Sequence, residues 1–201
     1  GAGNDKLDGG YGDDTLIGGA GNDRLEGGNG DDTYIFGRGD GADTIYDIGG
    51  NDTLKFKEGI KKEDLIVKRA ENNIDNLEIS IKGTDDKLTI NGVYWNNGRT
   101  YDGAKIENFE FADGTKLSLH EFETQTAFKG TDGNDIIYGA NATDEIHGGA
   151  GDDTIIAYDG NDTIYGDEGN DKLYGGDGNN TLYGGEGDDI IDANGGNDIL
   201  Y

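Results

Sequence analysis

An aspartate returns every nine residues at both ends of this chain. In the first tract these are Asp5, Asp14, Asp23 and Asp32. In the last they are Asp135, Asp144, Asp153, Asp162, Asp171, Asp189 and Asp198, with Asn180 where an amide replaces the acid. Each stands sixth in a phrase of the form Gly-Gly-x-Gly-x-Asp-x-(Leu/Ile)-x. A strict short period means stacked, near-identical turns. Because each unit reverses the chain, units n and n+2 fall on the same side, so Asp135 faces Asp153 and Asp171 faces Asp189. Two carboxylates and several backbone carbonyls then converge between stacked turns. Such a cage suits calcium, a hard cation that takes about six to eight oxygens in flexible geometry. Magnesium demands a tighter octahedron and keeps its waters, so it fits poorly. The absence of Cys, with only two His (His120 and His147), argues against zinc, copper and nickel. His120 has no Ser or Cys nucleophile context and no zinc-binding pair. No catalytic residue is assigned, and no enzyme activity is expected of the chain.

The elements that position these carboxylates follow from the same phrase. Its first six residues make a turn, with glycine where the backbone needs positive φ or close approach to an ion. Its last three make a short strand whose middle residue, the eighth, points inward. Those positions hold Leu7, Leu16 and Leu25, then Ile137, Ile146, Ile155, Ile164, Leu173, Leu182, Ile191 and Leu200. They predict a thin aliphatic core between two parallel sheets. One Leu or Ile per nine residues offsets only part of the entropy of ordering the turn, so burial alone should not hold the array. At the ninth position Tyr165, Tyr183 and Tyr201 recur 18 residues apart, with His147 in line. They predict a stacked ladder on one outer face.

Composition agrees with conditional order. Of 201 residues, 43 are acidic and 16 basic, a net charge of −27, and 39 are Gly. This surface repels nucleic acid and anionic membranes, and repels itself when compact. Low hydrophobicity would ordinarily suggest disorder. The register instead suggests a chain that collapses once a cation neutralises it. No apolar run approaches the ~20 residues of a membrane span. No signal peptide or initiator Met is present. The chain starts and ends within the repeat array, and we expect it to be a piece of a longer protein.

Three segments are expected. Residues 1–56 form a first roll, with looser, irregular turns that carry Asp43 and Asp52 as further candidate ligands. Residues 57–129 lose the period. Residues 130–201 form a second roll of eight units in register. The middle reads as a small β-rich unit: Leu77–Ile81 alternates apolar and polar, Lys82–Asp86 is a turn, and Lys87–Ile90 is the return strand. Asp113-Gly114 marks a hairpin. Ser118-x-x-Glu121 has capping-box spacing for a short helix at 121–124. Trp95, the one Trp, is expected in the core of this unit. The fold class is all-β: two calcium-loaded parallel β-rolls, each a nonapeptide solenoid, flanking a small β-rich non-repeat module.

The phrase stands nearly whole in Gly18-Gly-Ala-Gly-Asn-Asp-Arg-Leu-Glu26 and Gly148-Gly-Ala-Gly-Asp-Asp-Thr-Ile-Ile156. With these repeats the chain resembles the RTX (repeats-in-toxin) proteins that Gram-negative bacteria export by type I secretion. The middle is similar to the non-repetitive modules that follow RTX blocks, as in adenylate cyclase toxin-type proteins. It carries this likeness in Asp32-Thr-Tyr-Ile-Phe36, Leu77–Asp86, Leu88-Thr-Ile90 and Ile106–Thr115.

The resemblance implies the ligand set. Each ion takes the carbonyls of positions two and four with the sixth-position Asp of one turn. It takes the carbonyls of positions one and three with the Asp of the turn two units later. Carried onto this chain, position two is Gly1, Gly10, Gly19, Gly28, Thr131, Gly149 and Gly176, and position four is Gly3, Gly12, Gly21, Gly30, Gly133, Gly151, Gly160, Gly169 and Gly178. Position one is Gly18, Gly27, Gly148, Ala157, Gly166, Gly175 and Gly184, and position three is Ala20, Asn29, Ala150, Asp159, Glu168, Asp177, Glu186 and Gly195. Roughly 8–10 calcium ions would offset about twenty negative charges. Asn180 removes one charge from two sites, and Gly139–Asp144, which lacks two of the glycines, is expected to bind weakly.

The resemblance further implies a calcium-responsive domain of a type I-secreted toxin or exoprotein. It would be disordered at low calcium, pass the type I secretion machinery, and fold on calcium outside the cell. The expected location is extracellular, either released or held at the bacterial surface. The chain is expected to be a monomer that leaves any host-cell target to other parts of the parent. The alternative is a calcium-rigidified structural or adhesive segment of a large surface protein.

Overall fold

The computed structural model describes residues 1–70, 73–95, 99–100, 106–126 and 128–201. It divides into one unit of Gly1–Asn96 and Thr100–Thr126, and another of Asn97–Arg99 and Ala127–Tyr201. The side chain of Trp95, and with it the expected core position, lies outside the described residues.

In the first unit, β1 (Lys6–Tyr11), β2 (Thr15–Leu16), β3 (Arg24–Asn29), β4 (Thr33–Phe36), β5 (Ala42–Tyr46) and β6 (Thr53–Phe56) alternate between two parallel sheets. Leu7 lies opposite Leu25 and Thr15 opposite Thr33, so one coil is two nonapeptides. The next coil is longer: Arg24 meets Thr44 and Thr33 meets Thr53. The added residues fall in the loose turn after Phe36, and the sheets stay in register. The eighth-position residues Leu16, Leu25, Tyr34, Ile45 and Leu54 are buried between the sheets.

The sheets do not stop at residue 56. The non-repeat segment adds β7 (Leu65–Ala70), β8 (Asn73–Ile81), β9 (Lys87–Ile90), β10 (Tyr94–Trp95), β11 (Arg99–Thr100), β12 (Asn108–Glu110), β13 (Lys116–Ser118) and the helix α1 (Leu119–Thr126). β9 pairs in parallel with β5, setting Ile90 opposite Ile45, and antiparallel β8 and β7 follow it. On the other sheet β12 pairs in parallel with β6, setting Phe109 opposite Leu54, and antiparallel β13 follows. Strands of the expected flanking module thus extend both sheets of the first roll. The change from parallel to antiparallel pairing follows from short connections, which can make a hairpin but not a crossover.

The local expectations hold here. β8 and β9 cover the predicted strand pair, and the Asp113-Gly114 turn joins β12 to β13, with Gly114 at φ +89°. Ser118 and Glu121 close the capping box: the Ser118 N–H and hydroxyl donate to Glu121 Oε2 at 2.9 and 2.8 Å. α1 runs beyond the predicted span at both ends, and its Phe122 is fully buried, the ring stacked on Phe109 with centroids 4.0 Å apart. Aromatic rings here supply the bulk that the aliphatic rows lack.

The second unit is the regular roll. β14 (Ile136–Tyr138), β16 (Thr154–Ile156), β18 (Lys172–Tyr174) and β20 (Ile190–Asp192) form one parallel sheet. β15 (Glu145–Ala150), β17 (Thr163–Glu168), β19 (Thr181–Glu186) and β21 (Ile199–Leu200) form the other. Registers step by 18 residues, as in Ile146–Ile164–Leu182–Leu200. β15, β17 and β19 are longer than the expected three residues, because pairing continues through Gly149–Asp167–Gly185. Ile146 to Leu182 are buried, whereas Leu200 on the last turn is 49% exposed. The predicted ladder is present: His147, Tyr165, Tyr183 and Tyr201 stack at 4.5, 4.8 and 4.6 Å with nearly parallel rings.

Candidate metal centre

The sixth-position side chains line the gaps between stacked turns. Each presents one oxygen to the preceding coil. The backbone N–H groups of Asp5, Asp14, Asp23 and Asp32 donate to Oδ1 of Asp23, Asp32, Asp43 and Asp52 at 2.7–2.9 Å. In the second unit those of Asp135, Asp144, Asp153 and Asp171 donate to Asp153, Asp162, Asp171 and Asp189 at 2.8–2.9 Å. Asn180 keeps the ladder, accepting from Asp162 N–H and donating its own N–H to Asp198 Oδ1. One carboxylate oxygen therefore holds the stack together and leaves the other for the gap.

That second oxygen is the test of fit. The Oδ2 atoms of Asp14, Asp23, Asp32, Asp153, Asp162 and Asp171 are buried and accept no hydrogen bond. A buried carboxylate oxygen without a partner is costly, and a repeated one calls for a cation. The first glycine of the phrase makes room for it. A methyl group at Gly9 would lie 2.7 Å from Asp14 Oδ2, and one at Gly148 2.5 Å from Asp153 Oδ2. Gly18, Gly27, Gly166 and Gly184 flank Asp23, Asp32, Asp171 and Asp189 in the same way.

Backbone oxygens reach the same gaps. At position two Gly10, Gly19, Gly28, Gly149 and Gly176 have positive φ, and at position four so do Gly3, Gly12, Gly21, Gly30, Gly151, Gly169 and Gly178. Tyr158, Asp167 and Asn194 hold the same conformation at position two without being glycine. The carbonyls of Gly10 and Gly12 point at Gly28 and Gly30 of the next coil, and those of Gly151 and Gly160 at Gly169 and Gly178. From the later turn the position-one carbonyls of Gly27, Ala157, Gly166 and Gly184 point back at Gly9, Gly139, Gly148 and Gly166. The position-three carbonyls of Ala20, Asn29, Glu168, Asp177, Glu186 and Gly195 accept from the position-four N–H of the earlier turn at 2.7–2.9 Å. A carbonyl has a second lone pair. Position-one carbonyls thus lie beside the sixth-position Oδ2, as Gly27 does for Asp14 and Gly166 for Asp153, while the position-two and position-four carbonyls abut the glycines of the next coil.

Burial sets the electrostatics. It pushes the carboxyls of Asp153 and Asp162 up to about 6, as it does Asp43, and Asp52 up to about 7. Asp32 and Asp171 are raised for the same reason, each with neighbouring carboxylates adding to the effect. Desolvation and like charge both oppose ionisation, which a divalent cation in the gap reverses.

Three turns differ. Thr131 donates its N–H and hydroxyl to Asp135 Oδ2 at 2.6 and 2.8 Å, and the Ala140 N–H donates to Asp144 Oδ2 at 2.7 Å. In these turns local donors take up Oδ2, the oxygen that the regular turns leave for the gap. Neither Thr131 and Gly133 nor Ala140 and Ala142 adopt the positive φ of the regular turns. In the third, the Asn180 amide donates to the Gly176 carbonyl at 3.4 Å. By contrast Asp43 and Asp52, in irregular turns by sequence, sit buried within the ladder.

Some participants escaped the sequence reading. Glu107 accepts the Asp52 N–H at 2.7 Å and so continues the ladder from the non-repeat segment. Asp86 accepts from Gly39 and Gly41 N–H, and Lys57 Nζ lies 2.6 Å from Asp40. Position five, written as x, carries its own ladder: the N–H groups of Asn22, Asp31, Asp152, Asn170, Asn179, Asp188 and Asn197 donate to the Asn or Asp side chain 18 residues earlier. The signal was visible, since position five is Asn or Asp in nearly every unit.

A roll whose stacked turns bury carboxylate oxygens without hydrogen-bond donors beside backbone carbonyls has the chemistry of a calcium-binding β-roll. Four segments, residues 1–34, 128–155, 138–173 and 165–200, match the RTX calcium-binding nonapeptide repeat and together span more than half of the chain. Residues 76–120 match the haemolysin-type calcium binding protein related domain. The chain belongs to the RTX calcium-binding nonapeptide repeat family, and its cofactor is calcium, in multiple copies. No curated protein matches it significantly.

Proposed function

We propose that this chain is a calcium-responsive folding domain of an exported RTX protein, loose where free calcium is scarce and ordered outside the cell. The observation that carries the reading is the row of buried carboxylate oxygens without a partner. Without a cation these carboxylates are desolvated, and Asp14 with Asp32 and Asp153 with Asp171 face each other across coils with like charge. The aliphatic rows bury one residue per turn, too little to hold the coils against that repulsion. A loose, strongly acidic chain suits passage through a narrow type I channel. Calcium in the gaps supplies the positive charge and oxygen coordination that the carboxylates lack. Each site at one to ten times its Kd adds about 0.4–1.4 kcal/mol. Coupling between neighbouring coils makes many modest sites respond together. On this reading the chain carries no reaction of its own, and the activity and target of the parent reside elsewhere.

The test is a calcium titration from chelator, followed by far-UV circular dichroism and Trp95 fluorescence, with magnesium as control. The expected result is a steep coil-to-β transition below or near millimolar calcium that magnesium does not reproduce. A fully folded spectrum in chelator would overturn the reading and favour a constitutively rigid structural or adhesive segment.

A further inference from the structure

The turn spanning residues 47–52 breaks the phrase at its first position. Where the regular turns carry Gly or Ala, it carries Asp47. Its place is fixed by the backbone: the Gly30 N–H donates to the Gly49 carbonyl at 3.1 Å, the bond made by positions four and three in the regular turns. Gly50 then stands fourth, Asp52 sixth and Asp47 first. Carboxylate oxygens of Asp32, Asp47 and Asp52 lie within 4.8 Å of one another, and all three residues are buried.

Two independent observations point to a ligand among them. Asp32 is 1% exposed, yet its Oδ2 accepts no hydrogen bond. Gly27 opposite is also required to be glycine: a methyl group there would collide with Asp32 Oδ2 and Tyr34 Oη and lie 2.8 Å from Asp47 Oδ2. Oxygens of Asp32, Asp47 and Tyr34 border the space that this glycine keeps open, and Asp52 completes the carboxylate cluster beside it. Asp47 is held there deliberately. The Tyr34 hydroxyl donates to its Oδ2 at 2.5 Å, and the Ile48 and Gly49 N–H groups donate to its Oδ1 at 2.6 and 3.2 Å. Among the described residues no Lys or Arg pairs with any of the three. Asp40, on the neighbouring edge, is answered by Lys57.

We propose that Asp32, Asp47 and Asp52 form a three-carboxylate calcium site, tighter than the two-carboxylate gaps elsewhere in the chain and the first to fill. It rests on the calcium reading above and adds a ligand, Asp47, that the repeat phrase does not contain. Ligand charge count tunes calcium affinity. A third carboxylate, pre-oriented by Tyr34 and two backbone N–H groups, raises it without added ordering cost. The site lies where the repeats meet the non-repeat strands, since Asp52 also bonds Glu107. The first ion would therefore lock the last regular coil to β12.

The experiment uses the full chain. Calcium binding is followed by equilibrium dialysis at limiting free calcium for the wild type, Asp47→Gly and Asp47→Asn. The wild type should show one equivalent bound roughly tenfold tighter than the rest. Both variants should lose that class and keep the others. Superimposable isotherms would overturn the assignment. Because a variant could fail to fold, the wild type is also crystallised with one equivalent of terbium and the ion located by anomalous scattering. The first peak should lie between turns 27–32 and 47–52, and a first peak at any other turn pair overturns the proposal even if the dialysis shows a tight class. A chain that binds no calcium at all sinks the calcium-folding reading itself. Calcium uptake whose first ion lands elsewhere sinks only this site.

Discussion

At the scale of single residues, each sixth-position side chain does two jobs with two oxygens. Oδ1 accepts a backbone N–H from the preceding coil, and Oδ2 faces the gap. Asp153 serves two gaps, bonded to Asp135 and facing Asp171. Asp153→Ala removes both, so the calcium midpoint of folding should rise several-fold and the transition flatten. That corresponds to about 1–3 kcal/mol over two modest sites and a lost hydrogen bond. Unchanged midpoints would remove Asp153 from the ligand set. The reverse substitution is more discriminating. Asn180 sits in the same ladder but donates its amide to the Gly176 carbonyl. Asn180→Asp frees that carbonyl and adds a charge, so it should lower the midpoint and add bound calcium in the same dialysis. The periodicity showed which residues these are. It was silent on Asp47 and Glu107, because each enters the gap from a position where the phrase has glycine or has ended.

At the scale of elements, alternation revealed the strands of the non-repeat segment but not their partners. Leu77–Ile81 and Lys87–Ile90 read as a pair, and they are one. Nothing in their pattern says that Lys87–Ile90 would also dock in parallel on Ala42–Tyr46. Apolar spacing specifies which face is buried and leaves the neighbouring strand open. The Tyr ladder was legible because its period equals one coil. Its contribution can be measured. Tyr183 stacks on both Tyr165 and Tyr201 with rings 4° from parallel. Each pair is worth about 0.5–1.5 kcal/mol beyond burial. Tyr183→Ala should lower the thermal midpoint in saturating calcium and raise the calcium requirement. Tyr183→Phe should restore most of both, and failure of Phe to rescue would mean that the hydroxyl matters more than the stack.

At the scale of the whole molecule, one cause sets both the calcium and the proton dependence. The chain carries a net charge of −27, and folding without calcium buries part of it. Asp43, Asp153 and Asp162 then titrate at about 6 and Asp52 at about 7, against an ordinary value of 3.8. Groups raised on folding contribute stability that is fully present below their unfolded value and lost as pH rises through the folded value. The calcium-free fold should therefore gain stability as pH falls from about 7.5 toward 5. Protons do part of what the cation does, and the general repulsion declines in the same direction. The calcium-loaded fold should respond oppositely. Its ligands must be ionised, so the calcium midpoint should climb over the same window. Circular dichroism in calcium-free buffer, stepped downward and stopped above the isoelectric point near 4.1, should show β-structure appearing with acid. Asp153→Asn with Asp162→Asn should show more β-structure than the wild type at neutral pH and less change on acidification, since two of the titrating groups are gone. A calcium-free spectrum that stays flat across this window would separate the two dependences. The loose state would then owe its existence to the thin core alone, with carboxylate burial playing no part.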